Sequence, residues 1–157
     1  MVATLYLMVG LPGSGKTERS RQLERERSAL RLNIDEWHVP LFGQDAKEPE
    51  HDARHAVIEN LLWGIASRAL ALGMDVILDF GCWAREERED YRLRAKRLGA
   101  ASEVIFLDVP EDELLRRLAV RNAQPSQTTF QISAEMMRSW IAAFERPTPD
   151  ELQRRLP

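Results

Sequence analysis

Four short apolar runs, each followed by a more polar segment, form the main pattern of the chain. They cover residues 4–9, 29–34, 74–80 and 103–109. The first run is continuously apolar rather than alternating, which is typical of a strand covered on both faces in a parallel sheet. Because proline-free or periodic segments separate the runs, the pattern predicts an α/β fold with right-handed crossovers.

The segments between and after these runs predict helices over residues 16–28, 53–72, 85–98, 112–122 and 133–144. In the second of these helices, apolar residues recur at helical spacing and Gly73 stands at the expected stop. Ser133 is a candidate cap for the last helix. Residues 41–50 and 123–129 are predicted loops, and the proline-containing tail is predicted to be largely extended. Without repeats or linkers, residues 1–157 are predicted to form a single domain.

The strongest chemical signal follows the first apolar run. Its sequence, Gly10-Leu11-Pro12-Gly13-Ser14-Gly15-Lys16-Thr17, fits the P-loop pattern G-x-x-x-x-G-K-[ST]. Gly10, Gly13, Ser14 and Gly15 are expected to bring backbone N–H groups to phosphate at a helix N-terminus. Lys16 can reach the β- and γ-phosphates, and the Thr17 hydroxyl can hold Mg²⁺. This motif in this context predicts nucleoside triphosphate binding, in preference to a chance glycine-rich turn.

Two aspartates follow apolar runs, where ligands bind in open α/β sheets. Asp35, after the second run, is a candidate base for a hydroxyl that attacks the γ-phosphate; the alternative is a helix N-cap. Glu36 is a weaker substitute. Asp79 ends the third run and is a candidate Mg²⁺ ligand, directly or through water. Its alternative role is to accept hydrogen bonds from a neighbouring loop.

Arginines on the predicted helix 112–122 are candidate lid residues. Arg117 and Arg121 are four residues apart and share a helical face, so they can close over a triphosphate. The alternative is a solvated face on which Arg116 and its neighbours pair with Glu111 or Glu113.

Three other features carry less chemistry. His51 and His55 are four residues apart, but the sequence indicates no third ligand, which favours a polar helical face over a metal site. Trp83 is either a core residue or part of an acceptor pocket. Nothing near Cys82 indicates an activated thiolate.

The charge and cysteine content exclude several classes of function. With 22 basic and 25 acidic residues, the net charge is −3, which disfavours a sequence-independent nucleic-acid binder. One cysteine allows no internal disulfide and no thiolate metal cluster. The first apolar run is too short to cross a membrane and lacks a basic leader, so a cytoplasmic protein is expected.

Taken in order, these motifs resemble the AAA_33-type P-loop kinases, relatives of polynucleotide 5′-hydroxyl kinases, zeta toxins and chloramphenicol phosphotransferases. The resemblance covers nearly the whole chain, and its most specific part is a strand that ends in proline followed by Arg-x-x-x-Arg-Asn. The matching segments are 10–17, 33–36, 76–79, 104–110, 115–122 and 144–149.

The resemblance implies parallel strands in the order 2-3-1-4, Asp35 as the base, and Arg117 and Arg121 as lid residues at the nucleotide. Relatives often have an arginine where this chain has His38, and a small polar residue where it has residues 80–83. The expected function is transfer of the γ-phosphate of ATP, with Mg²⁺, to a hydroxyl of a small molecule. A polynucleotide 5′-hydroxyl kinase, and a nucleotide-binding switch or ATPase that acts through a protein partner, are the alternatives.

Overall fold

The computed structural model describes residues 1–43, 47–124 and 131–157. Its four strands form one parallel sheet in the order β2-β3-β1-β4. The strands are β1 (Thr4–Val9), β2 (Leu30–Leu32), β3 (Val76–Gly81) and β4 (Ala101–Phe106). The predicted α/β class and the strand order implied by the resemblance are both confirmed.

Helices cover both faces of the sheet. They are α1 (Lys16–Arg27), α2 (Ile34–Phe42), α3 (His51–Ala71), α4 (Arg85–Arg97), α5 (Glu111–Ala123) and α6 (Ala134–Ala143). Alternate side chains of β1 point to opposite faces, as a strand requires. Leu5 and Leu7 pack with α3 and α4, whereas Tyr6 and Met8 pack with Leu23 of α1. All six residues of β1 are buried, which explains its continuous apolarity.

The region between β2 and α3 differs most from the sequence prediction. The predicted strand 29–34 is shorter, because Asn33 caps α2 by accepting a hydrogen bond from the Glu36 backbone N–H at 3.0 Å. The predicted loop 41–50 is wrong at its start, since α2 continues to Phe42 and contains Pro40. The fourth strand also begins and ends earlier than predicted. Most of the predicted loop 123–129 lies outside the described residues.

Helices α5 and α6 form a second, smaller core beside the P-loop. Its buried members are Leu11, Leu114, Leu118, Ile132 and Met137. Ser133 caps α6 by accepting from the Met136 backbone N–H at 3.1 Å, as predicted. After α6 the chain has no further helix, and Arg155 exchanges two 2.9 Å backbone hydrogen bonds with Ser102 at the edge of β4. No helix among the described residues has the length and apolar character needed to cross a membrane.

Candidate active site

The P-loop connects the end of β1 to the start of α1, and its glycines are required by close contact and backbone shape. A Cβ on Gly10 would lie 2.6 Å from Ser14 Oγ. Gly15, at the N-cap of α1, has a φ of 92°, a conformation that L side chains rarely adopt. Ser14 Oγ is buried without a hydrogen-bond partner among the described residues. The loop thus presents an unused hydroxyl beside a helix N-terminus, which is suited to an anion.

Lys16 lies at the start of α1, among carboxylates. Its Nζ donates a 3.4 Å hydrogen bond to the Leu11 carbonyl oxygen. Burial lowers the pKa of Lys16, and the charges of Asp79 and Asp35 oppose that shift. The predicted phosphate-binding lysine and both predicted aspartates therefore lie within electrostatic reach of one another.

Asp79, at the carboxyl half of β3, is buried and uses its two carboxylate oxygens differently. Its Oδ2 accepts from Arg31 Nη2 at 2.7 Å and Asn33 Nδ2 at 3.1 Å, and lies 2.9 Å from Ser20 Oγ. Its Oδ1 is also buried but has no hydrogen-bond partner among the described residues. Three donors thus fix the carboxylate and leave one oxygen for a ligand, which fits a role toward a hydrated Mg²⁺ at the P-loop.

Asp35 lies in the first turn of α2, so the alternative that it caps this helix is wrong: Asn33 is the cap. Burial raises the pKa of Asp35, and the nearby charges of His55, Lys16 and Arg121 oppose the rise. Burial lowers the pKa of Arg121, and the Asp35 carboxylate opposes this change. Asp35 therefore lies within electrostatic reach of the P-loop lysine and of an arginine from α5.

The other arginines of α5 differ in their contacts. Arg117 Nη1 donates to the Gly13 carbonyl oxygen at 3.1 Å, and its Nε donates to Glu113 at 2.8 Å. Arg116 is exposed and pairs with Glu113 at 2.7 Å. The solvated-face interpretation thus fits Arg116, whereas Arg117 contacts the P-loop backbone.

Several residues at this site were not found by sequence reasoning. Arg31 forms ion pairs with Asp79, at 2.7 Å, and with Glu36, at 2.9 Å. Glu36, the weaker candidate base, is thus already paired with an arginine. Asn33 joins the cap of α2 to Asp79. Arg31 stands in a short apolar run, and its partner Asp79 lies 48 residues away. No local spacing could indicate that pair.

The features around the end of β3 have structural roles. Trp83 Nε1 donates to the Gly10 carbonyl oxygen at 3.3 Å, and its ring lies 5.4 Å from that of Trp140. Trp83 therefore packs against the start of the P-loop. Burial raises the pKa of the Cys82 thiol well above its ordinary value, in agreement with an unactivated cysteine.

The histidines are arranged differently from the prediction. His38 of α2 joins His51 and His55 of α3 and is a third candidate ligand that the sequence did not indicate. The sequence alone does not predict this cluster, because His38 is brought toward α3 by helix α2, which the sequence does not predict.

A cavity of about 500 Å³ lies beside the P-loop. Gly10, Leu11 and Ser14 line it together with the end of β4, and Phe144 and Arg146 close it. Neither Lys16 nor Asp35 lines this cavity, whereas Ser14 of the P-loop does.

Comparison with known proteins supports the fold described above. The model of the AAA_33 family, described as an AAA domain, matches residues 5–147. None of the curated proteins has a sequence that matches this chain significantly.

Several solved structures are similar in fold to this chain. A chain of the Pnkp1/Rnl/Hen1 RNA repair complex has 23% identity and a TM-score of 0.73; the match covers 90% of this chain and 44% of that one. A candidate kinase from Chloroflexus aurantiacus J-10-fl has 18% identity and a TM-score of 0.75, and the match covers 95% of this chain and 84% of that one. The Mycobacterium tuberculosis APS kinase CysC, in complex with AMPPNP and APS, has 20% identity and a TM-score of 0.62, with 92% and 83% covered. This chain spans less than half the length of the RNA-repair chain it matches.

Proposed function

The chain belongs to the AAA_33 family, and from that premise we propose that it is an ATP-dependent, Mg²⁺-requiring phosphotransferase with a small-molecule hydroxyl acceptor. The proposal treats residues 1–157 as one P-loop kinase-like domain. The observation that carries it is the mutual electrostatic contact of Asp35 with Lys16 and Arg121. A carboxylate within electrostatic reach of two cations is suited to transfer of a γ-phosphate to a hydroxyl.

In this proposal the nucleotide phosphates bind to the P-loop backbone at Gly10, Gly13, Ser14 and Gly15. Lys16 neutralises the β- and γ-phosphates, and the unpartnered Ser14 Oγ supplies a further hydrogen bond. Arg117 and Arg121 act as lid residues. The hydrogen bond from Arg117 to the Gly13 carbonyl supports this role, because that arginine already lies against the phosphate loop.

The Mg²⁺ ion would be held by the Thr17 hydroxyl and, directly or through water, by Asp79 Oδ1. The unpartnered Oδ1 fits this assignment, since Oδ2 already accepts its donors from the protein. When bound, the ion would neutralise charge on the β- and γ-phosphates. Arg31 and Asn33 hold Asp79 in place for it.

Asp35 orients the acceptor hydroxyl and takes its proton as the oxygen bonds to the γ-phosphorus. The bond from that phosphorus to the β–γ bridging oxygen breaks, and ADP leaves. A general base must be ionised to accept this proton, and Lys16 and Arg121 favour the ionised carboxylate that burial opposes. Catalysis then depends mainly on positioning and on electrostatic stabilisation of the transferring group.

A small acceptor is favoured over a polynucleotide by the charge near the end of β3. The carboxylates of Glu59 and Glu87 and the Lys16 ammonium all act electrostatically on the same buried thiol, Cys82. The Glu59 carboxylate in this region, together with the net charge of −3, would disfavour a phosphate-rich strand. A neutral polyol or an amine-bearing molecule would not meet that repulsion.

The test of this proposal is substitution of Asp35→Asn, which keeps the size of the side chain but removes the base. Turnover with labelled ATP and a panel of hydroxyl acceptors should fall about 100-fold or more, while ATP binding is retained. Asp112→Asn, an exposed change in the first turn of α5, is the matched control and should leave turnover unchanged.

Three outcomes distinguish the alternatives. Unchanged turnover in Asp35→Asn would contradict the role of this residue as the base. Hydrolysis of ATP that no acceptor stimulates would favour a switch or ATPase. Transfer to 5′-hydroxyl oligonucleotides that weakens steeply with added salt would favour a polynucleotide kinase.

A further inference from the structure

All three histidines of the chain converge beside the proposed active site. His38 comes from α2, while His51 and His55 lie one turn apart on α3. One ring nitrogen from each lies within 4.8 Å of the other two. The ring centroids are 4.7 Å apart for His38 and His51, and 5.9 Å apart for His51 and His55. Two helices thus place every imidazole of the molecule in one cluster.

We propose that His38, His51 and His55 form a binding site for a divalent transition metal, with Zn²⁺ as the best match. Imidazole nitrogen is a ligand of Zn²⁺, Cu²⁺ and Ni²⁺, and three protein ligands with one open position are typical of reactive zinc sites. Tetrahedral Zn–N bonds of about 2.0–2.1 Å separate ligand nitrogens by about 3.4 Å. The nitrogens therefore need to approach one another by at most about 1.4 Å, which side-chain rotations can supply.

The arrangement of the helices suits such a site. His51 and His55 occupy neighbouring turns of one face of α3, so they approach an ion from the same side. His38 is buried and approaches from α2, which packs against α3. His55 Nδ1 is buried and has no hydrogen-bond partner within the described residues. An ion would thus join the two helices and use a nitrogen that the protein leaves unsatisfied.

The charges around the cluster are compatible with a cation. Arg54, which lies between His51 and His55 in the sequence of α3, stands over the Phe42 ring and pairs with Glu48 at 2.7 Å, which compensates its charge. The Asp35 carboxylate lies within electrostatic reach of His55. It adds negative charge near His55, as carboxylates beside the histidine ligands of metal sites do.

This site differs from the proposed Mg²⁺ site in its chemistry and its residues. Mg²⁺ prefers oxygen ligands, which Thr17 and Asp79 offer, whereas the cluster offers only nitrogen. Metal binding to the histidines therefore requires neither nucleotide nor Mg²⁺. The inference can be tested in their absence, and its failure would leave the proposed phosphotransferase activity untouched.

The simpler alternative is aromatic packing. The His38 ring also makes an edge contact with the Phe42 ring, with centroids 5.4 Å apart. Packing alone predicts that each ring contributes to stability without any dependence on metal. A metal site predicts in addition a defined stoichiometry and a linked loss of affinity in each histidine variant.

The experiment is a metal titration of the untagged, full chain without nucleotide. Co²⁺ binding is followed by its visible absorption, and Zn²⁺ affinity by competition with a chromophoric chelator. His55→Gln is the main variant, and its folding is checked by circular dichroism. His51→Gln replaces it if the first variant does not fold. Asp52→Asn is the matched control, because Asp52 is exposed and lies between the two histidines on α3.

We expect one ion per chain, with equal affinity in the unsubstituted protein and Asp52→Asn. Each histidine variant should bind at least roughly 10–100-fold more weakly, since even outer-shell changes at metal sites cost that much. Absence of one-to-one binding by the unsubstituted protein would overturn the proposal. So would an affinity unchanged in a folded histidine variant, which would assign the ion to other groups.

Discussion

At the residue scale, Glu87 in the first turn of α4 has a carboxyl group with a raised pKa. Burial, together with the charge of Glu59, raises its pKa from 4.5 to about 7, and hydrogen bonds from the Ala84 and Trp83 backbone oppose the rise. Glu59 in turn accepts a 2.5 Å hydrogen bond from the Tyr91 hydroxyl. The two carboxylates thus share a site that disfavours a second negative charge.

The Glu87→Gln substitution should stabilise the protein above pH 7. Between pH 4.5 and 7 the folded state holds a proton that the unfolded state releases, so the free energy of unfolding falls as pH rises through this window. Glutamine removes that dependence and keeps an acceptor oxygen for the backbone. Urea unfolding at pH 5 and pH 8 should show a gain of roughly 1–3 kcal/mol that is present mainly at pH 8.

Glu86→Gln is the matched control for this prediction. Glu86 is exposed in the same turn of α4, so its substitution should change stability by about 0.5 kcal/mol or less at either pH. An equal stability of Glu87→Gln and the unsubstituted protein at both pH values would contradict the assignment of a raised pKa.

Residues defined by a local motif could be predicted from the sequence, whereas those defined by distant partners could not. The spacing of the P-loop identifies Lys16 and Thr17, because the backbone itself creates the phosphate site. Asp79 was recognised from its place at a strand end. Its partner Arg31 was not, since a buried ion pair between neighbouring strands leaves no periodic signal.

At the scale of elements, the start of α2 connects helix capping to the proposed active site. Asn33 Oδ1 accepts from the Glu36 backbone N–H, while its Nδ2 donates to Asp79 Oδ2. The same side chain thus sets where α2 begins, and with it the position of Asp35, and also holds the buried carboxylate of Asp79.

Asn33→Ala should therefore lower both stability and turnover. Loss of the cap costs about 1 kcal/mol, and loss of the amide leaves Asp79 with one donor fewer. Misplacement of Asp35 should reduce phosphoryl transfer roughly 10–100-fold. Chemical denaturation and initial-rate kinetics on the same preparation measure the two effects.

Ser133→Ala provides the comparison, because it removes the cap of α6 at an exposed position away from Asp35. It should cost about 1 kcal/mol of stability and leave turnover unchanged. If both variants lost activity equally, the loss would come from stability alone, and the positioning role of Asn33 would be wrong.

The same element explains why part of the site could not be predicted. A run of apolar residues from 29 to 34 fits a strand of six residues, and periodicity alone cannot place the strand end before Asn33. Nothing in the pattern of residues indicates that a helix continues through Pro40. Without α2, His38 had no defined direction, and the histidine cluster could not be inferred.

At the scale of the whole molecule, two arginines of α4 bind the C-terminal tail through hydrogen bonds. Arg88, with 0% of its surface exposed, donates to Glu151 at 2.7 Å and to the carbonyl oxygens of Cys82 and Trp83 at 3.0 Å. Arg92 donates to the backbone of Glu151 and of Gln153. The sequence predicts α4 as a charged helix and the tail as extended. It does not show that two of the helical charges are buried against that tail.

This arrangement also supports the proposed active site. The carbonyl groups of Cys82 and Trp83 belong to the turn that follows β3, in which Cys82 has a φ of 43°. Trp83 in turn contacts the start of the P-loop through Gly10. Arg88 therefore links Glu151 in the tail to the turn that packs against the phosphate loop.

Glu151→Ala should destabilise the protein by about 3–5 kcal/mol, because it leaves the buried Arg88 guanidinium without its counter-charge. Burial opposes ionisation of Glu151, but hydrogen bonds from Arg88 and the Thr148 backbone outweigh it and hold the pKa of Glu151 below its ordinary value. The ion pair therefore contributes stability above the ordinary pKa of the carboxyl group, and this contribution is lost as pH falls through the lowered value.

Asp150→Ala tests whether the effect depends on burial. Asp150 is the neighbouring residue and forms an exposed pair with Arg85 at 2.9 Å, so its loss should destabilise the protein far less than the loss of Glu151. Denaturant unfolding at neutral pH gives both values, and near-ultraviolet circular dichroism of Trp83 and Trp140 reports on packing beside the P-loop. A Glu151→Ala variant as stable as Asp150→Ala would mean that the tail does not anchor α4, and that the turn after β3 is held by its own backbone.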